Sequence, residues 1–282
     1  MTRLRLSGWS AIALLGAAVV LAGPALAQGA KAAKGEFQPS VGQPGKDVVW
    51  VPTPEGVVNR MLDMARVTPR DFLVDLGSGD GRTVIAAAKR GVRAMGVEFN
   101  PDMVAISNRE AARQGVTDMV KFVNGDIFAT DFRHATVVTL YLLPSLNVKL
   151  RPTLLDMKPG TRVVSHAFNM AEWDPDESAT PEGRQVFLWI VPSKVGGSWN
   201  VQYAGQSREL SLQQTFQKIK GTMRSGGEPL ALFDARLRGE EIHFTVLENG
   251  VRRDFSGRVQ EGRMSGRLRS GGQDVAWTAT RR

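Results

Sequence analysis

The sequence predicts an α/β fold, a doubly wound and mainly parallel sheet followed by a small antiparallel β-rich domain. Apolar runs alternate with helix-like runs between about residues 48 and 195, and a glycine-rich turn joins the first such strand to its helix. From Gly196 onward, short β-like runs separated by glycine pairs replace the helical periodicity. Alternating strands and helices form parallel sheets with right-handed crossovers, whereas short strands with turn signals form antiparallel meanders.

The glycine-rich turn is the first candidate site. The apolar run 72–74 precedes Asp75-Leu76-Gly77-Ser78-Gly79-Asp80-Gly81, and a helix-like run follows at 82–90. Glycines at such a turn admit positive φ and the close approach of a ligand, and the start of the next helix offers free N–H groups. The turn therefore predicts a binding site for a nucleotide-like cofactor.

The spacing of the glycines separates two cofactor classes. Dinucleotide folds use G-x-G-x-x-G to bring a pyrophosphate onto the helix N-terminus, whereas this chain has G-x-G-x-G preceded by Asp75. A carboxylate there repels a pyrophosphate and suits a cofactor that carries an amino group. The D-x-G-x-G-x-G pattern resembles the signature of class I S-adenosylmethionine (SAM) methyltransferases. That resemblance implies a Rossmann-like class I methyltransferase fold with SAM as cofactor.

Two further carboxylates end the next two predicted strands. Glu98 ends the run 94–98 about twenty residues beyond the glycines, where an acidic group commonly accepts the ribose hydroxyls. Asp126 ends the run 120–126 and, with Ile127 beside it, resembles the carboxylate of these methyltransferases that accepts the adenine amino group. Single acidic residues at strand ends more often cap helices or lie in solvated turns. Three of them in register with the glycine turn predict one cofactor site.

Two residues near this site keep two interpretations each. Asp80 either caps the helix that begins near Gly81 or faces the methionine part of the cofactor. Thr53 lies in Val51-Pro52-Thr53-Pro54-Glu55, before apolar residues at helical spacing. This pattern predicts a helix that enters the domain. Thr53 either caps that helix or closes over the cofactor with its neighbours.

The remaining strands narrow the resemblance. Apolar runs at 135–142 and 161–168 flank a helix-like run that ends at Met157. Continuous apolar, β-branched runs are typical of strands buried on both faces of a parallel sheet. V-P-T-P, D-L-G-S-G-D-G-R, G-V-E, A-T-V-V-T-L-Y-L-L-P and R-V-V-S-H-x-F together resemble bacterial relatives of the FAM173-type protein lysine methyltransferases over about residues 48–180. The resemblance implies a protein lysine side chain as the methyl acceptor.

The acceptor side departs from a common pattern. Many methyltransferases that act on amino nitrogens carry Asn/Asp-Pro-Pro-aromatic after the fourth strand, whereas this chain reads Tyr141-Leu142-Leu143-Pro144. Tyr141 is a candidate wall for a lysine amine, or a buried strand tyrosine with a locally satisfied hydroxyl. His166 is a candidate base, or a locally hydrogen-bonded histidine. With no cysteine and three scattered histidines, the sequence predicts no metal site.

The first 27 residues predict export. Arg3 and Arg5 precede an uncharged run at 11–22, and Ala25-Leu26-Ala27 forms a cleavage pattern. The alternative is an uncleaved anchor, because the uncharged stretch 7–30 is long enough to span a bilayer. We predict a periplasmic location with no stable membrane anchor after cleavage. Residues 28–47 read as a flexible linker, 48–195 as the methyltransferase domain and 196–282 as the β-rich domain.

The β-rich domain has no motif that names its role. Its runs at 199–203, 208–216, 218–224, 230–237, 241–247, 251–259, 263–269 and 274–280 predict a meander that closes into a barrel or half-barrel. Glycines at 221, 257 and 266 suggest bulges or tight curvature. Lys and Arg exceed Asp and Glu, 36 against 28, but aromatic residues are too few for a nucleic-acid platform. We expect a protein substrate and no nucleic acid. A non-catalytic exported binding module is the alternative.

Overall fold

The computed structural model describes residues 37–224 and 226–282. Residues 38–282 form one compact unit. The predicted signal peptide and the first part of the predicted linker lie outside the described residues, and the predicted domain boundaries stay predictions. Within the described ranges, no helix has both the length and the apolar character needed to cross a membrane.

The first sheet has seven strands in the order β3-β2-β1-β4-β5-β7-β6. Its elements are α1 (Glu55–Met64), β1 (Phe72–Leu76), α2 (Arg82–Lys89), β2 (Arg93–Glu98), α3 (Pro101–Arg113), β3 (Val120–Asn124), β4 (Val137–Leu140), α4 (Pro144–Leu155), β5 (Arg162–His166), β6 (Glu177–Ala179) and β7 (Val186–Ile190). Strands β1 to β5 are parallel, and β7 runs antiparallel to both β5 and β6. The predicted mainly parallel α/β fold is confirmed.

Strand β1 lies in the middle of this sheet and has apolar cores on both faces. Leu73 packs into the cluster that contains the buried face of α1, whereas Val74 packs into the cluster of β4, β5 and Trp173. Both Leu73 and Val74 are fully buried. Alternation along a strand buried on two faces explains why the sequence reads as a continuous apolar run. The carboxyl end of β1 is thereby held rigidly where the glycine turn begins.

The starts of two helices differ in how they are satisfied. At α3, Asn100 Oδ1 accepts the backbone N–H of Asp102, with Pro101 in the first turn. At α1 the N-cap is Pro54, and within the described chain no side chain caps it. The interpretation of Thr53 as an N-cap is therefore wrong. Its hydroxyl is directed elsewhere.

The second sheet has nine antiparallel strands in the order β11-β10-β9-β8-β16-β15-β14-β13-β12. They are β8 (Gly197–Tyr203), β9 (Gln206–Thr215), β10 (Lys218–Arg224), β11 (Leu230–Ala231), β12 (Phe233–Arg238), β13 (Glu241–Glu248), β14 (Val251–Gln260), β15 (Arg263–Ser270) and β16 (Gln273–Arg281). Its two ends, β11 and β12, are consecutive in the chain with Leu232 between them. The sheet therefore curls into a nearly closed barrel, as predicted.

The strand glycines have a packing role. Gly257 pairs with Gly266, and a Cβ on Gly257 would lie 2.8 Å from the Trp277 ring. A Cβ on Gly221 would lie 2.0 Å from the Ser211 carbonyl oxygen. The register is regular at all three glycines and shifts instead between Phe233 and Arg236. The expectation of bulges at these glycines is wrong, because they admit close approach of neighbouring strands and of an aromatic ring.

The segment between β7 and β8 is fastened by one side chain. Gln214 Oε1 accepts the backbone N–H groups of Val195 and Gly196, and its Nε2 donates to the carbonyls of Ser193 and Phe216. All four hydrogen-bonding positions of this amide are used. The first sheet and the barrel are therefore joined by a segment with fixed backbone conformation.

Candidate active site

A cavity of about 560 Å³ lies at the carboxyl ends of the parallel strands. The glycine turn after β1 forms its floor, and residues from the ends of β2, β3 and β4 form its sides. Ligands of open α/β sheets bind outside the carboxyl ends of the strands, where the strand order reverses. Here the order reverses at β1, between β2 and β4.

The glycine turn has the backbone that the motif predicts. Gly77, Gly79 and Gly81 have φ values of 78°, 54° and 78°, in the left-handed region that favours glycine. The N–H groups of Gly77 and Ser78 both donate to the Val97 carbonyl, which fixes the turn against β2. Ser78 Oγ is buried and has no hydrogen-bond partner among the described residues. The turn thus brings bare backbone to the cavity.

Asp75 lies at the end of β1 and is buried. Its Oδ1 accepts the Thr139 hydroxyl at 2.6 Å. Burial raises the pKa of Asp75 to about 7, and the charges of Asp80 and Glu98 raise it further while the Thr139 hydrogen bond opposes them. A buried carboxylate with like charges around it is stabilised by a cation. The site therefore fits a ligand with a positive charge near Asp75.

Glu98 and Asp126 lie on the β2 and β3 side of the cavity. Glu98 accepts the N–H groups of Gly79 and Asn100, both at 2.9 Å, and so links the glycine turn to the start of α3. Asp126 Oδ1 accepts the Phe128 N–H, and its Oδ2 pairs with Lys46 Nζ at 2.5 Å. The Lys46 ammonium holds the pKa of Asp126 below its usual range. Both carboxylates are preset by backbone N–H groups.

Asp80 combines its two predicted roles in one position. It lines the cavity, and its Oδ1 accepts the backbone N–H of Arg82, the first residue of α2, at 3.3 Å. Its carboxylate also pairs with the Arg82 guanidinium. Arg82 Nη1 in turn donates to the Thr53 carbonyl at 2.9 Å. Asp80 therefore serves the helix start and, through Arg82, fixes the loop before α1.

A segment that the sequence did not single out forms the outer wall. We call residues 38–51 the strap. Its chain turns back between Pro44 and Val49, and the Trp50 N–H donates to the Gln43 carbonyl. Lys46 lies 5.0 Å from the centre of the Phe99 ring, besides its pair with Asp126. Most of the strap falls inside the predicted flexible linker, whose composition gives no sign of these contacts.

The acceptor side of the cavity is apolar and aromatic. Tyr141, which follows β4, lines it together with Leu142, Leu143 and Phe168. The Tyr141 ring centre lies 3.9 Å from that of His166. His166 is fully buried and is not a wall of the cavity. Burial, and secondarily the charge of Arg184, lowers its pKa to about 4.

The structure brings most of the predicted site residues together. The cavity walls include Thr53, Asp75, Gly77, Ser78, Gly79, Asp80, Glu98, Asp126, Ile127 and Tyr141. Gly81 and His166 lie behind the walls. A Cβ on Gly81 would lie 2.7 Å from the Phe122 ring, so this glycine serves packing. The strap residues Lys46 and Trp50 were missed; the bulky tryptophan next to V-P-T-P was the available signal.

Comparison with known proteins places this site in a family. The family model of the ANTKMT methyltransferase domain matches residues 75–177. A protein-lysine N-methyltransferase of Saccharolobus islandicus is 42% identical over 151 residues, which cover 51% of this chain and 94% of that protein. The chain belongs to the ANTKMT methyltransferase family. The resemblance to the FAM173-type enzymes is confirmed.

Two other similar proteins differ in their described acceptors. A lysine N-methyltransferase of Mus musculus, named for a component of ATP synthase, is 36% identical over 62% of this chain and 72% of its own. A crystal structure described as an RNA methyltransferase from Salinibacter ruber, in complex with S-adenosyl-L-homocysteine, is 51% identical. It covers 51% of this chain and 96% of its own, with a TM-score of 0.50. The ANTKMT family model ends before the barrel begins at Gly197.

SAM is the cofactor of this ANTKMT family member, and the residues present fit it. The motif glycines leave room at the floor, where a Cβ on Gly79 would lie 2.6 Å from Trp50 Nε1. Asp75 and Asp80 supply negative charge for the methionine part, and Glu98 and Asp126 supply acceptors for the adenosine part. When bound, SAM supplies a methyl group on a positively charged sulfur. The chain binds, aligns the acceptor and excludes water.

Proposed function

We propose that this protein transfers the methyl group of SAM to the side-chain amine of a protein lysine. The observation that carries the proposal is the match to a protein-lysine N-methyltransferase over 94% of that relative's length. The mouse relative is also a lysine N-methyltransferase. The matched region contains the cofactor motif of this chain, from Asp75 onward.

The acceptor side of the cavity suits a lysine. A lysine amine is nucleophilic only after it loses its proton, and an apolar environment favours the neutral form. Leu142, Leu143, Leu146 and Phe168 supply such an environment beside Tyr141. Chain atoms other than a dedicated base can then complete the site, because methyl transfer is an in-line displacement that depends mainly on alignment.

RNA is the second candidate acceptor, because a structure with 51% identity is described as an RNA methyltransferase. We would incubate the purified full chain with tritiated SAM and, separately, with the total protein and the total RNA of its source cells. The proposal expects label in protein and, by mass spectrometry, methylation on lysine. Label confined to RNA would overturn it. Glu98→Ala is the matched inactive control. SAM binding without any transfer would favour the non-catalytic module.

We also propose that the mature protein is exported without a membrane anchor. The support is the N-terminal pattern of two arginines, an uncharged run and A-L-A before Gln28. SAM is made in the cytoplasm, so export would require a supply of SAM in the outer compartment. N-terminal sequencing and cell fractionation test this proposal. A mature chain that begins at Gln28 in the periplasm agrees with it, whereas an uncut chain in the membrane or the cytoplasm contradicts it.

A further inference from the structure

A buried histidine holds a threonine hydroxyl at the edge of the cavity. His166 ends β5, and its Nδ1 lies 3.1 Å from Thr53 Oγ1. Thr53 lines the cavity, whereas His166 does not. Helix α1 does not use this hydroxyl, because its N-cap is Pro54. His166 is therefore in a position to act on the cavity through Thr53.

Thr53 is also held from its other side. Arg82 Nη1 donates to the Thr53 carbonyl at 2.9 Å, and Asp80 pairs with the Arg82 guanidinium. Thr53 lies outside any helix or strand, yet only 6% of its surface is exposed. Both its backbone and its hydroxyl are therefore fixed. A fixed hydroxyl at a cavity wall can orient a ligand without a cost in side-chain entropy on binding.

The sheet order places Thr53 on the acceptor side. Glu98 and Asp126 follow β2 and β3, on one side of β1. Tyr141 and His166 belong to β4 and β5, on the other side, and their ring centres lie 3.9 Å apart. Thr53 contacts this second group. Its hydroxyl therefore faces the part of the cavity that the adenosine ligands leave free.

We propose that His166 is a positioning residue that accepts a hydrogen bond from the Thr53 hydroxyl, so that the lone pairs of Thr53 Oγ1 face the cavity and accept an N–H of the attacking lysine amine. This inference rests on the proposed lysine acceptor. A hydroxyl that donates its hydrogen to imidazole keeps only acceptor capacity. An N–H held in this way turns the nitrogen lone pair toward the methyl carbon.

The transfer itself balances without a proton on His166. The amine nitrogen forms a bond to the methyl carbon while the carbon–sulfur bond breaks and its electron pair stays on sulfur. The methylated ammonium then releases its proton to solvent. Burial keeps the His166 imidazole neutral at any working pH, since it lowers the pKa to about 4. Its Nε2 is buried and has no hydrogen-bond partner within the described residues, so Thr53 alone orients the ring through a hydrogen bond.

Two substitutions of Thr53 separate the hydroxyl from the shape of the side chain. Thr53→Val keeps the shape and removes the hydroxyl, whereas Thr53→Ser keeps the hydroxyl and removes a methyl group. We expect Thr53→Val to lower kcat about tenfold, the effect of one hydrogen bond made in the transition state, with an unchanged Kd for SAM. We expect Thr53→Ser to retain kcat within about threefold. Equal losses in both variants, or a matching loss of SAM affinity in Thr53→Val, would overturn the inference.

The histidine is tested by coupling and by its tautomer. In a double-mutant cycle, Thr53→Val with His166→Phe should lose no more kcat than the worse single variant. Nitrogen NMR of histidine-labelled wild-type protein, assigned with His166→Phe, should show the Nε2–H tautomer at His166. An Nδ1–H tautomer would contradict the proposed hydrogen bond. This spectrum needs no acceptor, so it judges the inference even if wild-type protein methylates no lysine, an outcome that would reject the proposed function instead.

Discussion

At the scale of single residues, Asp75 makes cofactor binding depend on pH. Its pKa of about 7 means that lowering the pH protonates the carboxyl that faces the cationic ligand. We expect SAM affinity to fall below pH 7, by up to about tenfold per pH unit. Calorimetry at pH 6, 7 and 8 measures this. Asp75→Asn should bind weakly at every pH, and a wild-type affinity that is flat from pH 6 to 8 would contradict the assignment.

The same carboxyl gives the free protein an opposite trend in stability. Asp75 has a higher pKa in the folded protein than its ordinary value of 3.8. The folded state therefore binds more protons than the unfolded state between about pH 4 and 7, and stability from this group declines as pH rises through that window. SAM should offset the loss. We expect the increase in melting temperature caused by SAM to be larger at pH 8 than at pH 6.

Gly79 permits a test of close approach with a matched control. Its φ is 54°, and a Cβ would lie 2.6 Å from Trp50 Nε1. Gly115 has a φ of 68°, yet nothing in the described chain lies within 4 Å of its Cβ position. Both substitutions to alanine should cost about 1 kcal/mol of stability through the positive φ. Only Gly79→Ala should also weaken SAM binding, and Gly79→Arg should abolish it. Equal SAM affinities of the two alanine variants would refute the steric argument.

Glu98 is expected to bind the ribose hydroxyls. Its two oxygens already accept the Gly79 and Asn100 N–H groups, so the carboxylate is oriented before the cofactor arrives. Glu98→Ala should weaken SAM binding by about 1–3 kcal/mol through the loss of a charge-assisted hydrogen bond. Glu110→Gln, on the exposed face of α3, serves as control. Unchanged calorimetric affinity in Glu98→Ala would reject the assignment.

At the scale of elements, the strap should control how long SAM stays bound. The Trp50 indole rests on the glycine turn, close to Gly79. Trp50→Ala opens this wall, and we expect faster SAM dissociation in stopped-flow measurements, by about tenfold or more because an indole contributes roughly 2 kcal/mol of burial. Val41→Ala changes a strap residue that is 69% exposed and should leave the rate unchanged. A slow rate in Trp50→Ala would mean that the strap is no part of the site.

The elements also mark how far the sequence could predict this protein. The eight β-like runs from residue 199 onward match the barrel strands, with one run interrupted at Leu232, because alternation and paired glycines are local signals. The three carboxylates were predictable because each directly follows a strand. The strap was not, because Lys46 and Asp126 meet across 80 residues. Thr53 looked like a helix cap, and only the folded structure brings His166 to its hydroxyl.

At the scale of the whole molecule, one aromatic contact couples the first sheet to the barrel. Trp173 is fully buried, and Phe216, at the β9–β10 turn, stacks on it with ring centres 6.2 Å apart. We expect Phe216→Ala to lower the free energy of unfolding by about 2–3 kcal/mol, with kcat little changed because the contact is remote from the cavity. Phe233→Ala, which is 54% exposed, is the control. Equal melting temperatures for both variants would show that the junction contributes little.

The barrel closes through its first and last strands, β8 and β16, where Trp199 lies opposite Arg281. This pairing joins the two ends of the barrel segment, so it has the highest contact order in that part of the chain. Such pairings form late, and folding slows as they become more numerous. Until β16 docks, β8 and β15 are open edges that can pair with other molecules. Refolding yield should therefore fall steeply with protein concentration, even where the finished protein is stable.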